Sequence, residues 1–220
     1  KFNYDFGPVT LTSISAYEDA DGESRGDIDG GFFTVDDVGN VVTGPGLILF
    51  PVATQDGADN LEQYTQEFRL ANNEVDKLFW QAGVFYFNST IDITTISLPD
   101  LGQTNTLDNE AYAVFGQADY YLTEAWTLTA GVRWSYDDLD FTDNNSGGFR
   151  EDIDDDQVSG NLSLAYSMDN SMIWGKIGSG FRGPSIQGRD VRFGAPPSVA
   201  DSETITSFEI GFKSQFWDDR

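Results

Sequence analysis

From Trp126 to Tyr136 the chain alternates without interruption. Trp126, Leu128, Ala130, Val132, Trp134 and Tyr136 fall on one face, and Thr127, Thr129, Gly131, Arg133 and Ser135 on the other. Successive side chains of a strand point to opposite sides of a sheet, so this run predicts a strand with one apolar and one polar face. The preceding run from Glu110 joins it through the four residues 122–125 and completes a hairpin. The apolar face ends in aromatic residues with a polar tip at both limits. The strand between them covers roughly 33 Å, or about 25 Å of height at a tilt of about 40°, close to the lipid band of an outer-membrane barrel.

The same reading of alternation and breakers predicts nine strands, at 2–6, 9–19, 62–71, 77–88, 110–121, 126–138, 157–168, 171–182 and 203–216. No segment carries a sustained helical stripe. The connections alternate short and long: 7–8, 72–76, 122–125 and 169–170 are short, while 20–61, 89–109, 139–156 and 183–202 are long. Outer-membrane barrels have short turns at the periplasmic end and long loops at the other, whereas a soluble sandwich has no reason to sort its loops by length. The basic residues Arg69, Arg133, Lys176 and Lys213 fall at polar-face positions. On a lipid face at the bilayer midplane each would cost ~2–4 kcal/mol, which favours a polar lumen. Two strands fit less well. Residues 9–19 permit either phase, and Phe85 and Phe87 sit on the polar face, where an internal plug could cover them.

Composition then narrows the chemistry. A formal net charge of -25 with only 12 Lys and Arg against 37 Asp and Glu argues against nucleic acid as a partner. Histidine and cysteine are absent, which removes Ser-His-Asp and Cys-His nucleophiles, ordinary zinc sites, His-ligated haem and disulfides from this chain. Gly178-Ser179-Gly180 is not a nucleophile elbow, the nearby glycines open no predicted helix, and nothing singles out a carboxylate pair for glycoside hydrolysis. No enzyme activity and no cofactor is expected. The acidic clusters at Asp19, Asp21, Glu23, Asp27 and Asp29, at 137–143 and at 151–156 complete no calcium loop; they read as a solvated anionic outer surface, with no metal site assigned. Asn-x-Ser/Thr triplets at Asn88, Asn144 and Asn161 are read as chance. Lys1 opens directly in a strand-like KFNYDF without the features of a signal peptide, so the chain is read as an internal piece of a longer one.

Several strings, spread over nearly the whole chain, resemble the barrel of TonB-dependent outer-membrane receptors. They are LTSISAYED (11–19), QEFRLA (66–71), WQAGVFYF (80–87), AVFGQADYYLTEAWTLTAGVRWSYD (113–137), GSGFRGPSI (178–186) and ETITSFEIGFKSQFWDD (203–219). The resemblance implies an all-β fold, an antiparallel transmembrane β-barrel of about 22 strands, of which residues 1–220 supply about nine with long extracellular loops. It implies energised uptake of a bulky scarce nutrient, foremost an iron-siderophore complex, and otherwise cobalamin or a carbohydrate. It places the protein in the outer membrane of a Gram-negative bacterium, against membrane lipid and lipopolysaccharide. It also implies a plug domain and a segment that contacts the TonB complex, neither of which is present here. Gly180-Phe181-Arg182 and Glu203 match recurrent barrel positions, and Arg182 is expected to pair with a lumen carboxylate such as Glu209. Arg182, Arg189 and Arg192, around the loop 183–202, are candidates for attracting an anionic ferric chelate, since guanidinium groups suit carboxylate and catecholate oxygens. Trp174, on the polar face, is a candidate to stack on a ligand or on the plug. A passive porin or adhesin, and a soluble secreted acidic β-domain, are the competing readings.

Overall fold

A computed structural model describes residues 1–27, 38, 53–98, 102–145, 148–188, 191 and 194–215. Among these, nine strands form one antiparallel sheet: β1 (Phe2–Asp5), β2 (Val9–Asp27), β3 (Ala53–Asn72), β4 (Leu78–Leu98), β5 (Gln103–Tyr121), β6 (Trp126–Asp143), β7 (Arg150–Met168), β8 (Ser171–Arg182) and β11 (Glu203–Ser214). Neighbours in sequence are neighbours in space, and β11 pairs β8 after a small second sheet of β9 (Ser185–Gln187) and β10 (Ser198–Ala200). The sheet is an up-and-down meander with β1 and β11 as free edges. It is the wall of a barrel that further strands would close.

The register fixes the faces. Val84, Val114, Val132 and Val158 share the outward face, and Val132 and Val158 remain 58% and 66% exposed, as lipid-facing positions must be in the protein alone. Arg69, Arg133, Lys176 and Lys213 all lie on the opposite face, and the ambiguous second strand resolves with Val9, Leu11 and Tyr17 outward. The tight turns lie at one end. At the first, Gly7 adopts φ +95°, a conformation that L side chains rarely adopt, ahead of Pro8, and the Phe6 amide donates to the Val9 carbonyl at 2.9 Å. At 122–125 the Leu122 amide donates to the Trp126 carbonyl at 2.9 Å and the Thr123 hydroxyl accepts from the Trp126 amide at 3.1 Å.

At the other end the structure differs from the sequence expectation. Residues 89–109 and 139–156 are mostly strand: β4 and β5 pair from Leu78/Tyr120 to Thr95/Gln103, and β6 and β7 from Trp126/Tyr166 to Thr142/Arg150. The connections shrink to 99–102 and 144–149. The reason is an inversion of polarity. Up to a row of tyrosines (Tyr17, Tyr64, Tyr86, Tyr112, Tyr136) apolar residues face outward. Beyond it Ile91, Leu107, Leu139, Phe141 and Ile153 face inward, while Asp108, Glu110, Asp138, Asp140, Asp152 and Asp154 face outward. A strand leaving lipid for water exchanges its outer apolar side chains for charged ones, and the backbone ladder continues through the change. Leu139 and Phe141 are buried, covered from within by the connection after β8, where Gly188 fits against the Phe141 ring and its carbonyl accepts from Gln103 Nε2 at 3.3 Å. In β2 and β3 the extension carries register shifts at Ala20/Gly22 and Asp59/Glu62, with Asn60 at φ +60°, a bulge immediately above the tyrosine row.

Placing a lysine on each face tests the assignment. Val132→Lys is expected to cost ~2–4 kcal/mol in the full-length protein folded into lipid vesicles, and Thr129→Lys, three residues away on the lumen face, well under half of that. Equal penalties in reversible unfolding would mean that the two faces do not differ in solvent. The isolated 220-residue chain, with two unpaired edges, is expected to show no sharp cooperative transition in plain buffer.

Candidate functional site: the lumen wall and its outer rim

On the outward side the tyrosine row marks the limit of the apolar surface. The Tyr64 and Tyr86 rings lie 6.2 Å apart and those of Tyr86 and Tyr112 5.2 Å. The Tyr86 and Tyr112 hydroxyls both donate to Glu110 Oε1, at 2.9 and 2.6 Å, and Trp134 Nε1 donates to Asp156 at 3.0 Å. These hydrogen bonds lower the Glu110 pKa, foremost that from Tyr112. At the opposite limit the Trp126 and Tyr166 rings meet at a tilt of 40° with centroids 4.7 Å apart. Amphipathic rings at both borders of an apolar band are the anchors of a membrane-spanning strand. Among the described residues no helix is long and apolar enough to cross a membrane.

Above the tyrosines the outward carboxylates crowd one another. Asp138 stands opposite Glu110 on one side and Asp154 on the other, and burial, followed by the charges of Asp140, Asp154, Glu110 and Asp152, raises its pKa. Burial likewise raises the inward Asp137, with Arg133 opposing. Asp155 moves the other way because it accepts hydrogen bonds from the Ser202 hydroxyl and from Gln157 Nε2, the latter at 2.8 Å. Among the described residues no cluster of carboxylates has the geometry of a metal site.

Of the candidate ligand residues, Arg189 and Arg192 lie outside the described residues. Arg182 sits at the outer end of β8, well exposed, and pairs at 3.1 Å with Glu203, its direct cross-strand partner. Glu209 is not its partner: it stands opposite Lys176, six residues down the strand. The register, which the sequence does not show, places Glu203 rather than Glu209 opposite Arg182. Arg182 also lines a cavity of about 340 Å³ with Asn109, Asp137 and Pro184, in which Asn109 Oδ1 is buried without a hydrogen-bond partner. Trp174 is on the lumen face but lies along the wall. Its ring fills the space above Gly211 on β11, where a Cβ would come within 2.0 Å of Cζ2.

One lumen cluster escaped the sequence reading. The Arg133 guanidinium carbon lies 5.5 Å from the centre of the Phe85 ring and 5.8 Å from that of Phe115, and Arg133 Nε donates to the Ser135 hydroxyl at 2.9 Å. Phe85, out of place on a polar face, is therefore half of an aromatic clasp around a cation. Gly83 makes room for it, since a Cβ there would fall 2.6 Å from Phe115 Cζ. The signal was available as three polar-face positions on adjacent strands, but only the register brings them level.

A two-faced antiparallel wall with an aromatic border at each limit, tight turns at one end and acidic extensions at the other defines a transmembrane β-barrel of the outer-membrane type. The chain matches, over residues 1–220, the family model described as TonB dependent receptor-like, beta-barrel, and it belongs to that family as part of its barrel. Members of the family are receptors that transport, not enzymes. No curated protein sequence matches significantly. Among solved structures, the ferric yersiniabactin uptake receptor FyuA from Yersinia pestis superposes with a TM-score of 0.74 at 17% identity, over 97% of this chain and 32% of that one. The siderophore receptor PiuA from Acinetobacter baumannii gives 0.70 at 15%, over 99% and 37%. The copper transporter OprC gives 0.58 at 13%, over 94% and 34%. At these identities the likeness is one of fold, and the chain spans about a third of each neighbour's length.

The raised pKa of Asp138 sets a pH dependence. The folded state holds this proton more tightly than the unfolded chain, so the group costs stability as pH rises through its folded pKa and ceases to do so once it is protonated. Asp138→Asn is expected to raise the thermal midpoint of the full-length protein at pH about 7 and low salt, with the gain fading toward pH about 4. A gain that is independent of pH would locate the effect elsewhere.

Proposed function

We propose that residues 1–220 form part of a single barrel domain in a TonB-dependent outer-membrane transporter that takes up a ferric siderophore. The observation that carries this reading is the continuous wall itself: a lipid-facing band, a polar lumen and rim extensions, over residues that match the receptor-barrel family from end to end. Of the structural neighbours described above, two are siderophore receptors, which favours iron, and one is named for copper, which is the second reading. In this proposal the remaining strands, a plug and the TonB-contacting segment belong to other parts of the protein. Lipid and lipopolysaccharide surround the outward face of a Gram-negative outer membrane. Arg182 at the end of β8, with Arg189 and Arg192 of the connection that follows, draws the anionic chelate toward the rim across an otherwise acidic surface. Trp174, being laid against Gly211, supports the wall rather than the ligand.

The test is growth. The full-length protein, expressed in a Gram-negative host stripped of its own siderophore receptors, is expected to restore iron-limited growth on at least one ferric siderophore, and only when TonB is present. Restoration without TonB would point to a passive pore, and TonB-dependent accumulation of copper but not iron to the second reading. Replacing Arg182, Arg189 and Arg192 by Glu is expected to slow association of the ferric siderophore about ten-fold at low salt, with the difference closing as salt rises.

A further inference from the structure

A single-layered wall has little core of its own, and among the described residues the buried ones gather mostly at one place. Leu139 and Phe141 of β6, Gln103 of β5, and Pro184, Gly188 and Val191 of the connection after β8 are all buried. The wall residues of this group lie on the inner side of the strand extensions, beyond the tyrosine row. Most of the burial in the chain thus serves to hold one connection against the wall.

That connection is attached at both feet and between them. At the first foot Gly183 sits against β6, where a Cβ would lie 3.5 Å from Asp137 Oδ2. At the second, the Ser202 hydroxyl donates to Asp155 of β7. The feet stand side by side, because Arg182 and Glu203 are cross-strand partners and an ion pair. Between them Ser185–Gln187 and Ser198–Ala200 pair as a short ladder, with β9 packed on β6 and β7. At Gly188 the backbone meets the Phe141 ring with no room for a Cβ, and its carbonyl accepts from Gln103 Nε2 and from the Val191 amide, each at 3.3 Å. A segment that swings needs a free base or a wet underside. Here both feet are held, and lifting the segment would bring Leu139 and Phe141 into water and take an acceptor from the buried Gln103 amide.

We infer that the connection after β8 is a fixed strap across the inner side of the mouth, latched by Phe141 against Gly188, and that it keeps this seat whether or not the barrel is coupled to TonB. Connections at a rim are ordinarily the mobile parts of a fold. This one is part of the wall. It narrows the mouth permanently beside β5, β6 and β7, so a solute enters past it and is not enclosed by it. The inference rests on the barrel reading and is independent of which nutrient is carried.

Cysteine labelling of the full-length protein on growing cells tests it. Residues 1–220 contain no cysteine, and any elsewhere in the protein are replaced by serine. L139C and Q103C place a thiol beneath the strap, and D140C, one residue from Leu139 on the outward face, is the exposed control. The reagent is a polyethylene glycol maleimide, whose double bond adds the thiol to give a thioether. D140C is expected to label readily, and L139C and Q103C at least about ten-fold more slowly, to the same extent in cells with TonB and in cells without it. Adding G188V, which drives a side chain into the Phe141 ring, is expected to bring both buried positions up to the rate of D140C. Labelling of L139C and Q103C as fast as D140C, or about ten-fold faster with TonB than without, overturns the fixed strap. Slow labelling that G188V does not relieve overturns the latch. Q103C decides if L139C disturbs the packing over Phe141, because it reports from a different strand. No nutrient enters these readouts, so a wrong ligand in the proposed function leaves the result readable.

Discussion

A peptide group in hydrocarbon has no water to bond with, and the whole arrangement follows from that constraint. Each strand must offer its amides and carbonyls to neighbours on both sides, which forces a continuous antiparallel ladder and leaves the outer edges of β1 and β11 to be met by further strands. Once the ladder is fixed, side chains have two directions only. Lipid claims one of them up to the tyrosine row, and every charged residue of the membrane-crossing part goes to the other.

The same ladder carries the strands out of the membrane without a break. Beyond Tyr136 the solvent outside changes from lipid to water, and the pattern reverses, with Asp138 and Asp140 outward and Leu139 and Phe141 inward. The inward apolar residues need a cover, and the connection after β8 provides it through Pro184 beside Leu139 and Gly188 against Phe141. The connection that carries Arg189 and Arg192 is therefore anchored by burial at its base. Any ligand-attracting role of that connection is built on this anchoring.

Within the lumen, charge is handled in two ways. Arg69 and Arg182 are neutralised locally by Glu67 and Glu203, and they stabilise the wall only modestly where solvent screens them. Arg133 lies against the Phe85 and Phe115 rings and donates to Ser135, and among the described residues neither it nor Lys176 makes an ion pair.

Alternation along a single strand determined which residues face lipid, because a period of two requires nothing but the local chain. It sufficed for the wall from Trp126 to Tyr136, for the four tight turns and for the placement of all four mid-strand cations. Tertiary structure decided what depends on neighbours. Residues 139–143 and 150–156 carry polar side chains in a pattern that reads as loop, and only pairing between β6 and β7 shows them as strand. Arg182 was expected to pair with a lumen carboxylate such as Glu209, and the register gives it Glu203 instead. Phe85, Phe115 and Arg133 lie on three strands up to 48 positions apart, so their clasp exists only once the strands stand level. Local periodicity is written in the chain; level and partner are properties of the sheet.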